Sequence, residues 1–160
     1  MKLLLHACCG PCSLEPVRIL AEAGHDITIA YLNSNIAPAS EYEHRIKTLL
    51  EWAKSQNIPV IEGPYEPATW QNAIKQNWDG TQENRADRCR ACYRIRLEEL
   101  ARYAYEHGFE GIGTTLTVSP YQYTDIINEE LERAAAPYEG LSAGFQDFRE
   151  FYPQATMRSR

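Results

Sequence analysis

Apolar residues near the start of the chain follow two different periods. Leu3, Leu4 and Leu5 form a short apolar run, which is typical of a buried strand. From Ser13 to Ala23 the apolar residues instead recur at the spacing of a helix, and Ser13 is a suitable N-cap for it. The pattern therefore predicts a strand, a tight turn over residues 6–12 and a helix.

The same order of elements continues along the chain. Residues 26–31 are rich in β-branched side chains and predict a second strand. Residues 40–56 predict a helix, in which Ser40 and Glu43 have the spacing of a capping box, and residues 59–62 predict a third strand. Strands that alternate with helices pair in parallel through right-handed crossovers, so we expect a doubly wound α/β fold.

The second half of the chain resumes this alternation after a longer excursion. Its predicted elements are a short helix within residues 64–88, a helix over 92–107, a strand over 111–117 and a helix over 119–135. The last helix opens with Ser119-Pro120, because proline is tolerated in a first turn. After residue 137 no clear period follows.

Length and composition favour a single domain. The chain has 160 residues and 44% hydrophobic content, which suits one domain with an ordinary buried core, so we expect residues 1–160 to form one unit. No stretch approaches the roughly 20 apolar residues that span a bilayer, and no cleavable leader is evident. We therefore expect a cytoplasmic protein with no membrane partner.

Charge is distributed unevenly along the chain. The net charge of -6 argues against general binding to polyanions. Arginines nevertheless cluster around the second cysteine pair, at positions 85, 88, 90, 94 and 96. Such a patch is compatible with a phosphate-bearing substrate and equally with a solvated helix face, so charge alone does not decide between them.

All five cysteines lie in two short segments. Cys8, Cys9 and Cys12 occupy the turn after the first strand, and Cys89 and Cys92 lie at the predicted start of a later helix. Clustered cysteines in a cytoplasmic protein indicate metal binding or redox catalysis rather than structural disulfides. Because ligands of parallel sheets bind beyond the carboxyl ends of the strands, we expect the metal site at that edge.

Two Cys-x-x-Cys pairs, each predicted at a helix start, suggest a converging set of thiolates. The positive end of a helix dipole favours the thiolate form. Zinc would use four of the five cysteines, whereas an iron–sulfur cluster with an open position can do chemistry. A thiol–disulfide redox pair in the first segment is the third alternative. The residues alone leave all three open.

Five ordered motifs carry a family resemblance. They are His6-Ala-Cys-Cys-Gly-Pro-Cys12; Asn33-Ser-Asn-Ile-Ala-Pro38 with Glu41-Tyr42 and Arg45; Arg88-Cys-Arg-Ala-Cys-Tyr93 with Arg96-Leu97; Thr114-Thr-Leu116 with Ser119-Pro120; and Asp147-Phe-Arg149. Together they resemble the QueH-type epoxyqueuosine reductases, and the resemblance covers nearly the whole chain.

The resemblance implies a fold, an activity and a cofactor. The fold is a single Rossmann-like domain of the nucleotide-α-hydrolase type. The activity is a two-electron reduction that removes the epoxide oxygen of epoxyqueuosine in tRNA and gives queuosine at the wobble position. The family uses a [4Fe-4S] cluster with an additional adjacent iron. Its partners are the tRNA anticodon stem-loop that carries epoxyqueuosine and an external electron donor.

The resemblance also assigns roles to residues. Cys8, Cys9, Cys89 and Cys92 match the family's metal-site cysteines, and Cys12 joins them as a ligand because it falls where some members have Asp. The chemistry of the side chains, rather than the resemblance, makes Tyr31, Tyr42, Tyr93 and Glu41 candidate proton donors and orienters, and Tyr31, Tyr42 and Glu41 are our choice of catalytic residues. The candidate substrate-binding residues carry amide, hydroxyl or guanidinium groups that suit hydroxyls and phosphates, and they are Asn33, Asn35, Arg88, Arg94, Arg96, Thr114, Thr115 and Ser119.

Family members usually continue past this length, so we expect the chain to lack the family's C-terminal segment.

Two other functions remain open at this point. In the first, the cysteines form a structural zinc site on an α/β module that docks RNA or protein. A nucleotide-dependent thiol transfer enzyme is disfavoured, because the first turn carries cysteines where a phosphate-binding loop uses glycine and serine.

Overall fold

The fold is a parallel sheet flanked by helices. The structure, a computed structural model, describes residues 1–8, 10–144 and 147–153, without the side chains of Pro11, Cys12 and Phe151. In chain order the elements are β1 (Lys2–His6), α1 (Gly10–Glu22), β2 (Asp26–Tyr31), α2 (Ala39–Ser55), β3 (Val60–Glu62), α3 (Pro67–Asn77), α4 (Arg85–Glu106), β4 (Gly111–Thr114), a 3₁₀ helix (Leu116–Val118), α5 (Thr124–Ala135), β5 (Ser142–Ala143) and a second 3₁₀ helix (Arg149–Phe151). No helix within these ranges is both long enough and apolar enough to cross a membrane.

β1 lies at the centre of the sheet. The strand order is β3-β2-β1-β4-β5, and every pairing is parallel. The chain runs outward to one side through β2 and β3 and to the other side through β4 and β5, so the order reverses next to β1. A crevice is expected beyond the carboxyl ends of strands at such a point. The predicted parallel α/β sheet is confirmed, and it brings residues 6–8, 33–35 and 114–115 to one edge.

Neighbouring leucines of β1 enter two separate cores. Leu4 packs with Leu97 and Leu100 of α4, whereas Leu5 packs with Leu49 of α2. Successive strand residues point to opposite faces of a sheet, so an uninterrupted apolar run is buried on both sides. Each fully buried leucine contributes about 1.5–3 kcal/mol to stability. The cores place α4 and α5 on one face of the sheet and α1 and α2 on the other.

Two predicted helix caps do not form. α1 begins at Gly10, so Ser13 lies within its first turns and is not the N-cap. α2 begins at Ala39, and Pro38 occupies the N-cap position without a side-chain hydrogen bond. The capping box predicted from Ser40 and Glu43 is therefore wrong, because Ser40 already belongs to the helix.

α4 begins well before its predicted start. Its first residue is Arg85 rather than Cys92, which adds about two turns. The added turns are polar and charged, so they lack the apolar spacing that would reveal them. Cys89 and Cys92 consequently lie inside the helix, and the prediction that they sit at a helix start is wrong. The helix dipole acts mainly on the first turn, which contains neither cysteine.

The chain around β4 also differs in detail. β4 ends at Thr114 and is followed by a 3₁₀ helix, so the strand predicted to residue 117 is too long. α5 begins at Thr124, after a loop that contains Pro120, and not at Pro120 itself. β5 has only two residues, which are too few to show a period in the sequence.

Candidate functional site

A buried hydrogen-bond network around His6 joins the carboxyl ends of three strands. His6 lies at the end of β1, with Nε2 3.1 Å from Asn33 Oδ1 and Nδ1 3.1 Å from Thr114 Oγ1. Asn33 Nδ2 donates to the carbonyl of Ala7 at 2.9 Å, which leaves Asn33 Oδ1 as an acceptor. The network therefore assigns the proton to His6 Nε2, and Nδ1 accepts the hydroxyl proton of Thr114. These bonds hold the backbone directly before Cys8 in place.

Arg96 of α4 completes this network. Its Nη1 donates to Asn33 Oδ1 at 3.4 Å, and its guanidinium carbon lies 5.9 Å from the centre of the Tyr93 ring. Complete burial of His6, assisted by the positive charge of Arg96, lowers the pKa of the imidazole to about 3. His6 is therefore neutral at physiological pH, and its role is to connect strands rather than to titrate.

Three polar atoms near this edge are buried without a hydrogen-bond partner among the described residues. They are Arg96 Nε, Asn35 Oδ1 and Thr115 Oγ1. Buried polar atoms in native proteins are nearly always satisfied, by protein, ordered water or a bound group. Asn35 and Thr115 follow β2 and β4 at this edge, and Arg96 lies one helical turn after Cys92 in α4, so the edge has unsatisfied polar atoms that a bound molecule could satisfy.

The described cysteines lie on two elements that border this edge. Cys8 directly follows Ala7 at the end of β1 and is half-buried. Cys89 and Cys92 share one face of α4 with Arg96, at the three- and four-residue spacing of a helix. Burial raises the pKa of Tyr93 to about 12. Tyr93 directly follows Cys92 in α4.

The structure describes three of the five predicted metal ligands, which are Cys8, Cys89 and Cys92. Cys9 and the side chain of Cys12 lie outside the described residues. Among the residues that are described, no group of three or more His, Cys, Asp or Glu side chains is close enough to hold a metal ion. The ligand set of five cysteines stays a prediction. The thiol donors fit a thiolate-bound metal centre better than an oxygen-ligated ion.

The candidate proton donors lie around β2 and α2. Tyr31 is fully buried and its hydroxyl donates to the Tyr42 carbonyl at 3.1 Å. The Tyr42 hydroxyl donates to Glu62 Oε1 at 3.1 Å. Burial is the main cause that raises the pKa of both phenols well above the ordinary value. Glu41 is paired with Arg45 at 2.7 Å, and this hydrogen bond lowers the pKa of Glu41.

Four predicted substrate-binding residues lie inside the protein. Asn33, Thr114, Thr115 and Arg96 are 1%, 4%, 2% and 7% exposed. Side-chain hydrogen bonds connect Asn33, Thr114 and Arg96 within the His6 network, and the backbone N–H of Thr115 donates to the carbonyl of His6. Contact of these four side chains with a substrate stays a prediction.

The other predicted substrate-binding residues occupy different surroundings. Ser119 is half-buried and its Oγ accepts the backbone N–H of Tyr121 at 3.2 Å. Arg94 donates two hydrogen bonds to Glu130 of α5 and so extends toward that helix. Arg88 lies over the ring of Trp70. The structure therefore pairs Arg94 with α5, whereas Asn35 and Thr115 lie at the edge.

Comparison with known protein families decides the relationship of the chain. The family model described as epoxyqueuosine reductase QueH matches residues 3–160. The chain belongs to the QueH family. The resemblance predicted from the five motifs is thereby confirmed.

Over the aligned residues, curated QueH relatives are about a third identical to this chain. The epoxyqueuosine reductase QueH of Staphylococcus aureus is 36% identical over 134 residues, which are 80% of this chain and 55% of the relative. That of Acinetobacter baylyi is 36% identical over 140 residues, 88% of this chain and 63% of the relative. That of Dehalococcoides mccartyi is 30% identical over 153 residues, 94% of this chain and 79% of the relative. The chain thus spans little more than half the length of the first of these QueH proteins.

The connections of His6 are not evident from the QueH motifs alone. The motif shows a histidine directly after an apolar run, but only the sheet order brings Asn33 and Thr114 to its two ring nitrogens. A signal was present, since a polar residue follows each of three apolar strand segments. The hydrogen bond between Tyr42 and Glu62 was not predictable in this way, because nothing in the sequence links the two residues.

Proposed function

We propose that this chain is the metal-binding α/β domain of a reductase that converts epoxyqueuosine to queuosine at the wobble position of tRNA. The match to the QueH family over residues 3–160 carries the proposal. The activity is proposed for the whole protein, because the chain spans 55% and 63% of the first two relatives. The strand order 3-2-1-4-5 supports a single Rossmann-like domain of the nucleotide-α-hydrolase type.

The proposed cofactor is a [4Fe-4S] cluster with an additional adjacent iron. The residues that would hold it are Cys8, Cys9, Cys12, Cys89 and Cys92. When bound, the cluster supplies the electrons for the reduction. The protein's own contribution is to fix the cysteine turn: Asn33 holds the Ala7 carbonyl, and Asn33 is itself held by His6 and Arg96.

Removal of the epoxide oxygen as water consumes two electrons and two protons, so the site needs a proton source. Of the candidates Tyr31, Tyr42 and Glu41, we favour Tyr42, because its hydroxyl has a carboxylate partner in Glu62. Its raised pKa keeps the phenol protonated at neutral pH. Tyr31 would act by holding the Tyr42 backbone, whereas Glu41 is ionised beside Arg45 and would orient rather than donate.

The substrate would be bound at the same edge. Asn35 and Thr115 each have a side-chain oxygen without a partner among the described atoms, and these oxygens suit the hydroxyl groups of the modified base. Ser119 would assist from the loop after β4. Arg88, Arg94 and Arg96 stay proposed phosphate contacts; Arg88 and Arg94 are half-buried, whereas Arg96 is buried. The proposal places the reaction with tRNA in the cytoplasm and requires an external electron donor.

The first test is the metal content of the full-length protein purified without oxygen. About four irons per chain with matching sulfide support the proposal, and conversion of epoxyqueuosine in tRNA by the reduced protein completes it. One zinc without sulfide supports a structural zinc module instead. Cys9→Ala should abolish cluster binding, whereas Ser55→Ala, at the far end of α2, should leave the iron content unchanged. Normal iron in the Cys9 variant would contradict the ligand assignment.

A further inference from the structure

The indole of Trp70 donates a hydrogen bond to a cysteine of the proposed metal site. Trp70 Nε1 lies 3.2 Å from Cys92 Sγ, within the distance of an N–H···S hydrogen bond. Trp70 belongs to α3, which packs on α4 and forms a small apolar cluster of Ile74, Ala91 and Cys92 with Trp70 and Trp78 at its border. Cys92 is only 6% exposed, so α3 covers its sulfur.

A second contact holds the Trp70 ring in place. The guanidinium carbon of Arg88 lies 5.4 Å from the centre of the Trp70 ring and 5.7 Å from that of Trp78. Arg88 precedes Cys92 by one helical turn, so its positive charge is on the same side of α4. The two indoles differ in one respect: Trp78 Nε1 donates to the backbone carbonyl of Thr81 at 2.9 Å and not to sulfur.

We propose that Trp70 is a positioning residue that holds the Cys92 sulfur and stabilises the reduced form of the metal centre. This inference rests on the proposed function, because it requires Cys92 to be a ligand. An N–H that donates to a ligating sulfur withdraws electron density from it, and hydrogen bonds to the sulfurs are among the factors that set cluster potentials. Donation to sulfur favours the more negative, reduced state.

A purely structural role for Trp70 predicts a different effect of its replacement on the metal centre from the effect that the N–H···S bond predicts. If the ring only fills space, phenylalanine keeps most of the packing and the electronic properties of the centre remain as they were. If the N–H acts on sulfur, phenylalanine removes the effect while it keeps an aromatic ring beside Arg88. Trp78→Phe is the matched control, because it removes an indole N–H from the same cluster without touching Cys92.

The experiment measures the reduction potential of the full-length protein with its metal centre, alongside Trp70→Phe and Trp78→Phe. We expect Trp70→Phe to reduce the equilibrium constant for one-electron reduction by up to about tenfold, which is about 59 mV, and Trp78→Phe to leave it unchanged. Equal potentials in all three proteins overturn the inference. Equal shifts of the reduction potential in both variants overturn the inference as well, because such shifts would arise from packing around Arg88 and not from the N–H···S bond.

A second measurement does not need the metal. Urea unfolding of the metal-free protein gives the free energy of unfolding for the wild type, Trp70→Phe, Cys92→Ala and the double variant, and the non-additive part is the coupling energy of the two residues. The same double-mutant cycle with Trp78→Phe in place of Trp70→Phe is the control. A coupling larger than that of the control supports the N–H···S bond, and additivity in both cycles overturns it. If the wild type holds no iron, the proposed function fails and this cycle alone decides whether Trp70 holds Cys92. If Trp70→Phe loses its iron while Trp78→Phe keeps it, the reduction potential cannot be compared, and the same unfolding cycle is then the deciding test.

Discussion

Replacement of Glu130 tests the contact between α4 and α5. Glu130 is 1% exposed and accepts a hydrogen bond from Arg90 Nη1 at 2.9 Å and two from Arg94, at 2.9 Å and 3.0 Å. Burial alone would raise the pKa of Glu130, but the hydrogen bonds and charges of Arg94 and Arg90 outweigh it and hold the pKa below its ordinary value. Glu130→Gln keeps the volume and removes the charge.

The expected loss follows from these contacts. A hydrogen bond to a charged group is worth about 1.5–3 kcal/mol, and the amide of glutamine meets at least one arginine N–H with its own NH₂. Breaking a fully buried ion pair costs about 3–5 kcal/mol. The side chains of Arg90 and Arg94 are 35% and 32% exposed, so water partly replaces the lost carboxylate. We therefore expect Glu130→Gln to lower the free energy of unfolding by about 2–3 kcal/mol.

Urea unfolding followed by circular dichroism measures this loss, and pH gives an independent check. Because the folded pKa of Glu130 lies below the unfolded value, its contribution is present above that value and is lost as the pH falls through the folded pKa. The gap between wild type and variant should therefore be widest at neutral pH and narrow in acid.

Glu129→Gln is the matched control for this prediction. Glu129 pairs with Arg90 at 2.7 Å, but its side chain is 61% exposed, so its replacement should cost less than about 1 kcal/mol. Equal losses for the two variants would refute the argument that burial makes the Glu130 contacts strong. A gap that stays constant as the pH falls would refute the assigned direction of the pKa.

Two further changes test the core and the His6 network by the same unfolding measurement. Leu97→Ala, at a fully buried position, should cost about 2–5 kcal/mol, while Leu50→Ala, at a position 47% exposed, should stay within about 0.5 kcal/mol of the wild type; similar losses would contradict the core assignment. Asn33→Ala leaves the Ala7 carbonyl and the His6 ring without their partner and should cost about 1–3 kcal/mol, so an unchanged stability would show that the network is not formed.

Strong periodicity made the sheet predictable. Residues 26–31 combine β-branched side chains with clear flanking breaks, and the predicted strand has the bounds of β2. The prediction for α4 was too short because the first turns of the helix, from Arg85 onward, are charged and lie partly on the surface. A helical segment that is not packed against the core has no apolar spacing by which the sequence could reveal it. β5 pairs through its backbone with β4, and backbone pairing leaves no mark on two residues.

The candidate site stays a prediction, and the part of it that the sequence indicates is the part where one residue type, cysteine, is concentrated. The grouping of cysteines pointed to the edge at which Cys8 lies. The polar contacts were not predictable, because they depend on which strands are neighbours: Thr114 reaches His6 only since β4 pairs with β1. Trp70 is a similar case, since its N–H meets the Cys92 sulfur through the packing of α3 on α4 and not through any sequence spacing.

The central place of the first strand has a consequence for the order of synthesis. β1 leaves the ribosome before the other strands, and β2 soon gives it one neighbour, but its other neighbour is β4, at Gly111–Thr114. Until β4 emerges, an apolar strand keeps one row of backbone groups open, which is the kind of edge that recruits other chains. His6 also lacks its Thr114 partner during this interval. A nascent chain halted before β4 should therefore depend on chaperones to stay unaggregated, whereas a chain halted after α5 should not.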